Sequence, residues 1–143
     1  MLIIFDFDGT LMKEDLHIGL FSWVNIVIPI LAGRHRLAIL TNRHRKSAQK
    51  YLGRFEKYFE LVIGGEDVKE LKPSSEGIQL ILKGTGAKKK ETLIIGDMPD
   101  DILAGKSAGI KTGAVKWGLG DWDELMAYLP DYSFEEYEHL LQI

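Results

Sequence analysis

The sequence IIFDFDGTL, residues 3–11, places Asp6 and Asp8 directly after a short apolar run, with one residue between them. On an extended chain, side chains two residues apart point to the same side, so both carboxylates are expected to face one region. Like charges at that spacing repel each other unless a cation lies between them. Gly9 follows, and glycine allows a tight turn or a close approach of the backbone to a ligand. The stretch therefore predicts a buried strand that ends in an acidic, ligand-binding loop.

The rest of the chain alternates short apolar runs with longer segments of helical spacing. The predicted strands are Leu2–Phe7, Leu37–Thr41, Leu61–Gly64, Thr92–Asp97 and Thr112–Val115. Because these runs are apolar throughout, they are expected to be buried on both faces, as in a parallel sheet. The first predicted helix begins near Asp15, is kinked or restarted at Pro29 and ends at Gly33. The other predicted helices are Lys46–Phe55, Ser75–Lys83, Asp100–Ala108, Trp122–Tyr128 and Phe134–Leu141. This order predicts an α/β fold, a three-layer, doubly wound Rossmann-like sandwich around a mainly parallel sheet.

Length and composition indicate one folded domain over residues 1–143, with 45% hydrophobic and 27% charged residues. The net charge of -3 argues against a broad electrostatic surface for nucleic acid. The chain has no cysteine, which excludes a disulfide framework and a thiolate metal site. A chain without cysteine suits a reducing compartment, so we expect a cytoplasmic location.

The segment Leu16–Leu31 is apolar but shorter than the roughly 20 residues that a membrane-spanning helix needs. It also contains polar residues, so we expect no membrane partner and interpret the segment as a buried helix. This helix would belong to the core or to a face that a second copy of the chain covers. The N-terminus has no basic residues before its apolar run, so no signal peptide is expected.

Polar residues stand at the carboxyl ends of three predicted strands, where open α/β sheets bind their ligands. They are Asp6 and Asp8, Thr41 and Asn42, and Asp97. Asp101 follows at the start of a predicted helix. Carboxylates without histidine or cysteine suit a hard, oxygen-binding cation such as Mg²⁺. The sequence therefore predicts that distant residues meet at one magnesium-binding edge of the sheet.

The neighbouring polar residues indicate an anionic ligand. Thr41 and Asn42 can donate hydrogen bonds to an oxyanion, and Lys72 brings an ammonium group ahead of a helix N-terminus that also favours anions. Arg43 belongs to the same rim, where it either contacts substrate or forms a solvated helix start. Carboxylates, a divalent cation, hydrogen-bond donors and a lysine together favour phosphoryl transfer, in which an aspartate can act as the nucleophile.

Four segments carry a family resemblance: DFDGT, the threonine that ends LAILT, LKPSSEG and GDMPDD. Their order and context resemble the four motifs of the haloacid dehalogenase-like hydrolase superfamily. From Tyr58 onward the chain looks similar to the phosphoglycolate-phosphatase-type branch. The resemblance implies a magnesium-dependent phosphomonoester hydrolase, with a small phosphorylated metabolite as the expected substrate.

The resemblance also implies a role for each matching residue. Asp6 would attack phosphorus and form an aspartyl-phosphate, and Asp8 would protonate the leaving oxygen and then activate water. Asp6, the backbone carbonyl of Asp8, and Asp97 would hold Mg²⁺, with Asp101 either binding the ion or orienting its water shell.

The phosphoryl group would be bound by further residues. Thr41 would contact it with help from Asn42, and Lys72 would neutralise negative charge on the nucleophile. Gly9 and Arg43 complete the predicted phosphate-binding or substrate-binding set. Each residue also has a plain structural interpretation: the aspartate pair as a capped turn, Thr41 as a strand-end hydroxyl, and Lys72 as a surface side chain.

Only residues 11–40 separate the Asp8 loop from Thr41, which leaves no room for the helical cap that related phosphatases insert there. The resemblance thus implies a member without a sizeable cap, and a phosphatase is favoured over a mutase, which needs closure to exclude water. A rim residue, a neighbouring subunit in a homodimer, or a bulky substrate would then cover the site. The alternatives are a phosphatase for phosphoproteins or nucleic-acid ends, and a catalytically idle phosphate-binding or scaffolding subunit.

Overall fold

The apolar runs of the sequence form the strands of a computed structural model that describes residues 1–13 and 19–143. In chain order the strands are β1 (Leu2–Phe5), β2 (Met12–Lys13), β3 (Gly19–Leu20), β4 (Arg36–Leu40), β5 (Leu61–Ile63), β6 (Thr92–Gly96), β7 (Lys111–Val115) and β8 (Tyr132–Phe134). Within the described residues, six of them form a wholly parallel sheet in the order β5-β4-β1-β6-β7-β8. The short strands β2 and β3 form a separate antiparallel pair.

Helices cover both faces of the sheet. They are α1 (Val24–Ala32), α2 (Arg45–Leu52), α3 (Glu76–Thr85), α4 (Pro99–Ala108) and α5 (Trp122–Ala127), with 3₁₀ turns at Gly53–Tyr58, Gly65–Asp67, Lys89–Glu91 and Tyr137–Gln142. Side chains of α1 and α2 share one hydrophobic cluster, and side chains of α3 and α4 share another. The predicted three-layer α/β sandwich is therefore confirmed.

The central strand β1 shows why the sequence folds this way. Ile3 and Phe5 belong to the cluster on the α1–α2 side, whereas Leu2 and Ile4 belong to the cluster on the α3–α4 side. All four side chains are buried, because alternate residues of a strand point to opposite faces and both faces are covered. Burial of each such side chain stabilises the fold by about 1.5–3 kcal/mol.

Two predicted helices differ from the structure. The helix predicted from near Asp15 begins only at Val24, because Gly19–Leu20 pairs with Met12–Lys13 as an antiparallel strand. Asp15 itself lies outside the described residues, and the helix continues through Pro29 to Ala32. The predicted helix over Phe134–Leu141 is wrong: Phe134 ends the edge strand β8, and a 3₁₀ turn follows over Tyr137–Gln142. Phe134 is buried by pairing with β7, a tertiary contact that local spacing does not encode.

The apolar segment that precedes β4 contributes mainly to the core. Val27, Ile28 and Leu31 of α1 are buried, whereas Ile26 and Ile30 remain exposed. Among the described residues between β1 and β4, the chain forms the β2–β3 pair and α1, and no cap domain is inserted. In the same described part, no helix is both long and apolar enough to cross a membrane.

The strand order determines where a ligand can bind. β1 has β4 on one side and β6 on the other, so the chain leaves β1 in one direction and returns to its opposite side for β6. The carboxyl end beside β1 is thus a topological switch point, where loops diverge and leave a crevice. Asp6, Thr41 and Asp97 each follow one of these three strands.

Candidate active site

A cavity of about 230 Å³ lies at the carboxyl ends of β1, β4 and β6. Its described lining is dominated by polar residues from distant parts of the sequence: Asp6, Asp8, Thr41, Asn42, Lys72, Asp97, Met98, Asp100, Asp101 and Leu119. Five of these side chains are aspartates and one is a lysine. The parallel sheet therefore brings the predicted residues together as expected.

Three buried aspartates form the acidic centre of this cavity. Asp6, Asp97 and Asp101 offer carboxylate oxygens that all lie within 4.8 Å of one another. Asp97 is fully buried and the other two nearly so. Oxygen donors of this kind, without nitrogen or sulfur among the clustered ligands, fit a hard divalent cation such as Mg²⁺.

Lys72 connects two of these aspartates. Its Nζ donates to Asp6 Oδ1 at 2.8 Å, to Asp101 Oδ1 at 2.6 Å and to the Leu40 carbonyl at 3.1 Å, so all three ammonium protons have acceptors. Burial by itself would lower the pKa of the Lys72 ammonium, but the charges of Asp101 and Asp6 outweigh it and raise the pKa above its ordinary range. Lys72 is therefore a permanent positive charge inside the cavity, and its interpretation as a surface side chain is wrong, since it is 8% exposed.

Burial and the negative charge of Asp6 raise the pKa of Asp97 to about 8. The same two causes raise the pKa of Asp101 to about 6, with the Lys72 ammonium opposing the change. When all three carboxylates are ionised, the cluster holds more negative charge than the single Lys72 ammonium can balance. A divalent cation among these oxygens would balance the remainder.

Arg43 holds the other aspartate of the first motif. Its Nη2 donates to Asp8 Oδ1 at 2.7 Å, and its Nε lies 3.1 Å from both Asp8 oxygens. The Asp8 carboxylate is therefore paired with a guanidinium and stands apart from the clustered carboxylates of the described residues.

Thr41 and Asn42 shape the loop after β4. Thr41 Oγ1 accepts a hydrogen bond from the Arg43 amide at 3.0 Å, which leaves the hydroxyl proton available to a ligand. Asn42 Oδ1 accepts from the Lys72 amide at 3.2 Å, so its side-chain NH₂ group is left to donate. Both residues line the cavity.

Close packing around Asp97 depends on three glycines, Gly9, Gly118 and Gly120. Gly9 has φ +78°, the left-handed region that favours glycine, and a Cβ there would overlap the Asp97 carboxylate. A Cβ on Gly120 would overlap the Asp97 carbonyl oxygen. The Leu119 amide donates to Asp97 Oδ2 at 2.9 Å. We predicted no role for this GLG segment, residues 118–120, from the sequence, although its two glycines indicate that the backbone comes close to a neighbouring group.

Thr10 was also missed as a support of the site. The fully buried Thr10 hydroxyl lies 3.3 Å from Asp6 Oδ2 and 3.4 Å from Asp97 Oδ1, so it links two carboxylates of the cluster. Trp117 Nε1 donates to the Thr10 carbonyl at 3.0 Å and thus anchors the loop. The position of Thr10 inside the DFDGT motif was the available indication.

Comparison with known proteins gives the family of the chain. The sequence profile described as haloacid dehalogenase-like hydrolase matches residues 18–115. The chain belongs to this family. The pyrophosphatase PpaX of Halalkalibacterium halodurans is 36% identical over 110 residues, 76% of this chain and 51% of that protein. PpaX of Anoxybacillus flavithermus is 39% identical over 110 residues, with the same shares of both chains. The chain thus spans about half the length of the curated relatives it matches.

A solved structure shows the same haloacid dehalogenase-like fold. A hydrolase of this family from Streptococcus pneumoniae superposes with a TM-score of 0.86, covering 99% of this chain and 96% of that chain. The two sequences are 20% identical, so the likeness establishes the common architecture. The overall architecture is therefore shared with that protein.

We expect Mg²⁺ to raise the melting temperature by several degrees at pH 7.5 and by much less at pH 5. The pKa of Asp97 rises from 3.8 to about 8 on folding, so the folded state holds a proton where the unfolded chain has lost it. Without metal, stability should therefore fall as the pH rises through this window, because burying the ionised carboxylates becomes costly. Mg²⁺ stabilises the ionised form, whereas protons compete with it at pH 5.

Thermal unfolding at both pH values, with potassium chloride at equal ionic strength as the control, measures this difference. An equal Mg²⁺ effect at pH 5 and pH 7.5 would contradict binding at the acid cluster.

Proposed function

We propose that this chain is a magnesium-dependent phosphomonoester hydrolase that works through an aspartyl-phosphate on Asp6. The observation that carries the proposal is the Lys72 ammonium, bonded to Asp6 and Asp101 inside a cluster of three buried carboxylates. A carboxylate next to a fixed cation and a divalent metal can approach an anionic phosphoryl group without prohibitive repulsion.

The metal would be held by Asp6, Asp97 and the backbone carbonyl of Asp8. Asp101 Oδ1 accepts from Lys72, and its Oδ2 accepts from the Met98 amide at 3.1 Å. Asp101 would either bind the ion directly or orient its water shell. Bound Mg²⁺ would supply charge neutralisation at the phosphoryl oxygens.

The proposed reaction has two steps. An Asp6 carboxylate oxygen attacks phosphorus while the bond to the leaving oxygen breaks, and that oxygen takes a proton from Asp8. A water oxygen then attacks phosphorus, its proton passes to Asp8, and the bond between Asp6 and phosphorus breaks. The products are an alcohol and inorganic phosphate, and both aspartates return to their starting forms.

The remaining polar groups would bind the transferring phosphoryl group. The Thr41 hydroxyl and Asn42 amide donate hydrogen bonds, and the Lys72 ammonium neutralises charge on Asp6 as the negative phosphoryl group arrives. Thr41 and Asn42 follow β4 directly, and the Lys72 ammonium is held by three hydrogen bonds, so these groups need little reorganisation during the reaction.

A small phosphorylated metabolite is the substrate class that we propose. A cavity of about 230 Å³ accommodates a phosphoryl group, while exposed Met98 and Leu119 at the rim offer apolar surface to the leaving group. The two relatives described above are named pyrophosphatase, so inorganic pyrophosphate belongs among the candidates. The homodimer that would cover the site stays a prediction, which light scattering tests. The cytoplasmic location also stays a prediction.

Release of p-nitrophenol from p-nitrophenyl phosphate, with Mg²⁺ and with a chelator, tests the proposal. We expect turnover that depends on Mg²⁺, and its absence in the wild type would overturn the hydrolase assignment in favour of an idle phosphate-binding subunit. A panel of phosphorylated metabolites, inorganic pyrophosphate and phosphopeptides then tests the substrate class. Preference for the phosphopeptides would contradict the metabolite assignment.

A further inference from the structure

Arg43 joins the loop after β4 to the loop after β1 through a forked contact with Asp8. The guanidinium donates to Asp8 Oδ1 at 2.7 and 3.1 Å, and to Oδ2 at 3.1 Å. Such a fork fixes the plane of a carboxylate as well as its position. Oδ2 receives one of the three bonds and so keeps more capacity for a further hydrogen-bond partner.

Helix α2 holds Arg43 in turn. Its Nη1 donates to Ser47 Oγ at 2.9 Å, and its Cζ lies 5.5 Å from the centre of the Tyr51 ring. Its backbone amide donates to Thr41 Oγ1. Ser47 and Tyr51 lie four and eight residues further along the chain, so one helix face fixes the guanidinium before any ligand arrives.

Asp8 lines the cavity, whereas Arg43 does not belong to the lining formed by the described residues. Both side chains are only about a quarter exposed, at 26% for Arg43 and 28% for Asp8. An ion pair that water still reaches adds little to stability, so its geometric effect is the more important one. Arg43 is thus placed to act through Asp8.

We propose that Arg43 is a positioning residue that orients Asp8 toward the water that hydrolyses phosphorylated Asp6. The inference rests on the proposed function. In this step a water oxygen bonds to phosphorus, one water proton passes to Asp8, and the bond from Asp6 to phosphorus breaks. The guanidinium holds Oδ1 and the plane of the carboxyl group, which leaves Oδ2 to face the water and accept its proton. Departure of a good leaving group needs no proton, so this orientation matters most in the second step.

Rapid-mixing kinetics with p-nitrophenyl phosphate and Mg²⁺ test the inference on the Arg43→Met protein. We expect a burst of p-nitrophenolate near one equivalent per site, followed by a steady rate about 10²-fold below that of the wild type. The ratio kcat/KM should change by less than about threefold, because it reports the steps through leaving-group departure. Arg45→Met is the matched control, since Arg45 pairs with Asp67 and should leave both phases unchanged.

Two further variants keep the test decisive. Arg43→Lys retains the charge without the fork and should lower the steady rate by about tenfold. In an Asp8→Asn background, Arg43→Met should change the steady rate by less than about twofold, because the two residues act as a unit.

Three results would overturn the inference. A parallel fall of kcat and kcat/KM without a burst would make Arg43 a substrate-binding residue, and an unchanged steady rate would make it a surface ion pair. Wild-type protein without Mg²⁺-dependent release would remove the proposed function itself, an outcome distinct from the other two.

Discussion

Asp6→Asn is expected to reduce turnover of p-nitrophenyl phosphate by about 10³-fold or more, because the amide cannot form the covalent intermediate. The fold should survive, since the substitution removes one of three clustered negative charges and leaves Lys72 paired with Asp101. Steady-state kinetics at saturating Mg²⁺ measure the loss, and circular dichroism confirms that the variant is folded.

The control for this prediction is Asp123→Asn, which removes a carboxylate from the exposed first turn of α5. Its activity should match that of the wild type, because Asp123 lies outside the cavity lining of the described residues. Asp6→Asn protein that kept wild-type activity would exclude Asp6 as the nucleophile. Mass spectrometry of the variant detects any conversion of the asparagine back to aspartate.

Lys72→Ala is expected to lower the free energy of unfolding by about 3–5 kcal/mol at pH 7.5 without metal, the usual loss when one partner of a buried ion pair is removed. Lys72 bonds to Asp6 and Asp101, which would then be left as buried charges without their cation. Urea unfolding followed by circular dichroism measures the change. Activity should also fall steeply, because the nucleophile would lose the charge that lets it approach a phosphoryl group.

The pH dependence separates this electrostatic cause from simple loss of packing. Burial and neighbouring charge raise the pKa of Asp101 to about 6 and that of Asp97 to about 8, so both carboxyl groups gain protons toward pH 5. The destabilisation by Lys72→Ala should therefore shrink at pH 5. Lys69→Ala is the matched control, because Lys69 is exposed and its bond to Glu76 uses the backbone amide. An equal loss at both pH values would contradict the ion-pair explanation.

The strand ends show how much of the site can be predicted from local sequence. Asp6, Thr41 and Asp97 each follow an apolar run that can be buried on both faces only in a covered parallel sheet. Their meeting at one edge followed from the common direction of the strands. Two of the predicted helices were less accurate, because Gly19–Leu20 and Phe134 are extended through pairing with other strands.

The sequence by itself determined which residues are available to the site and at which edge of the sheet they stand. Apolar runs identify the strands, and an aspartate at a strand end is placed by the chain direction alone. The family motifs then supply expected roles for Asp6, Asp8, Thr41 and Lys72.

Only the tertiary structure decided which of these groups touch. Lys72 reaches Asp6 across 66 residues of sequence, Arg43 reaches Asp8 across 35, and the Leu119 amide reaches Asp97 across 22. These contacts depend on the lateral order of the strands, with β1 between β4 and β6, and on how each loop packs beside its neighbour. Lateral order results from burial summed over the whole sheet, so no local stretch of sequence encodes it.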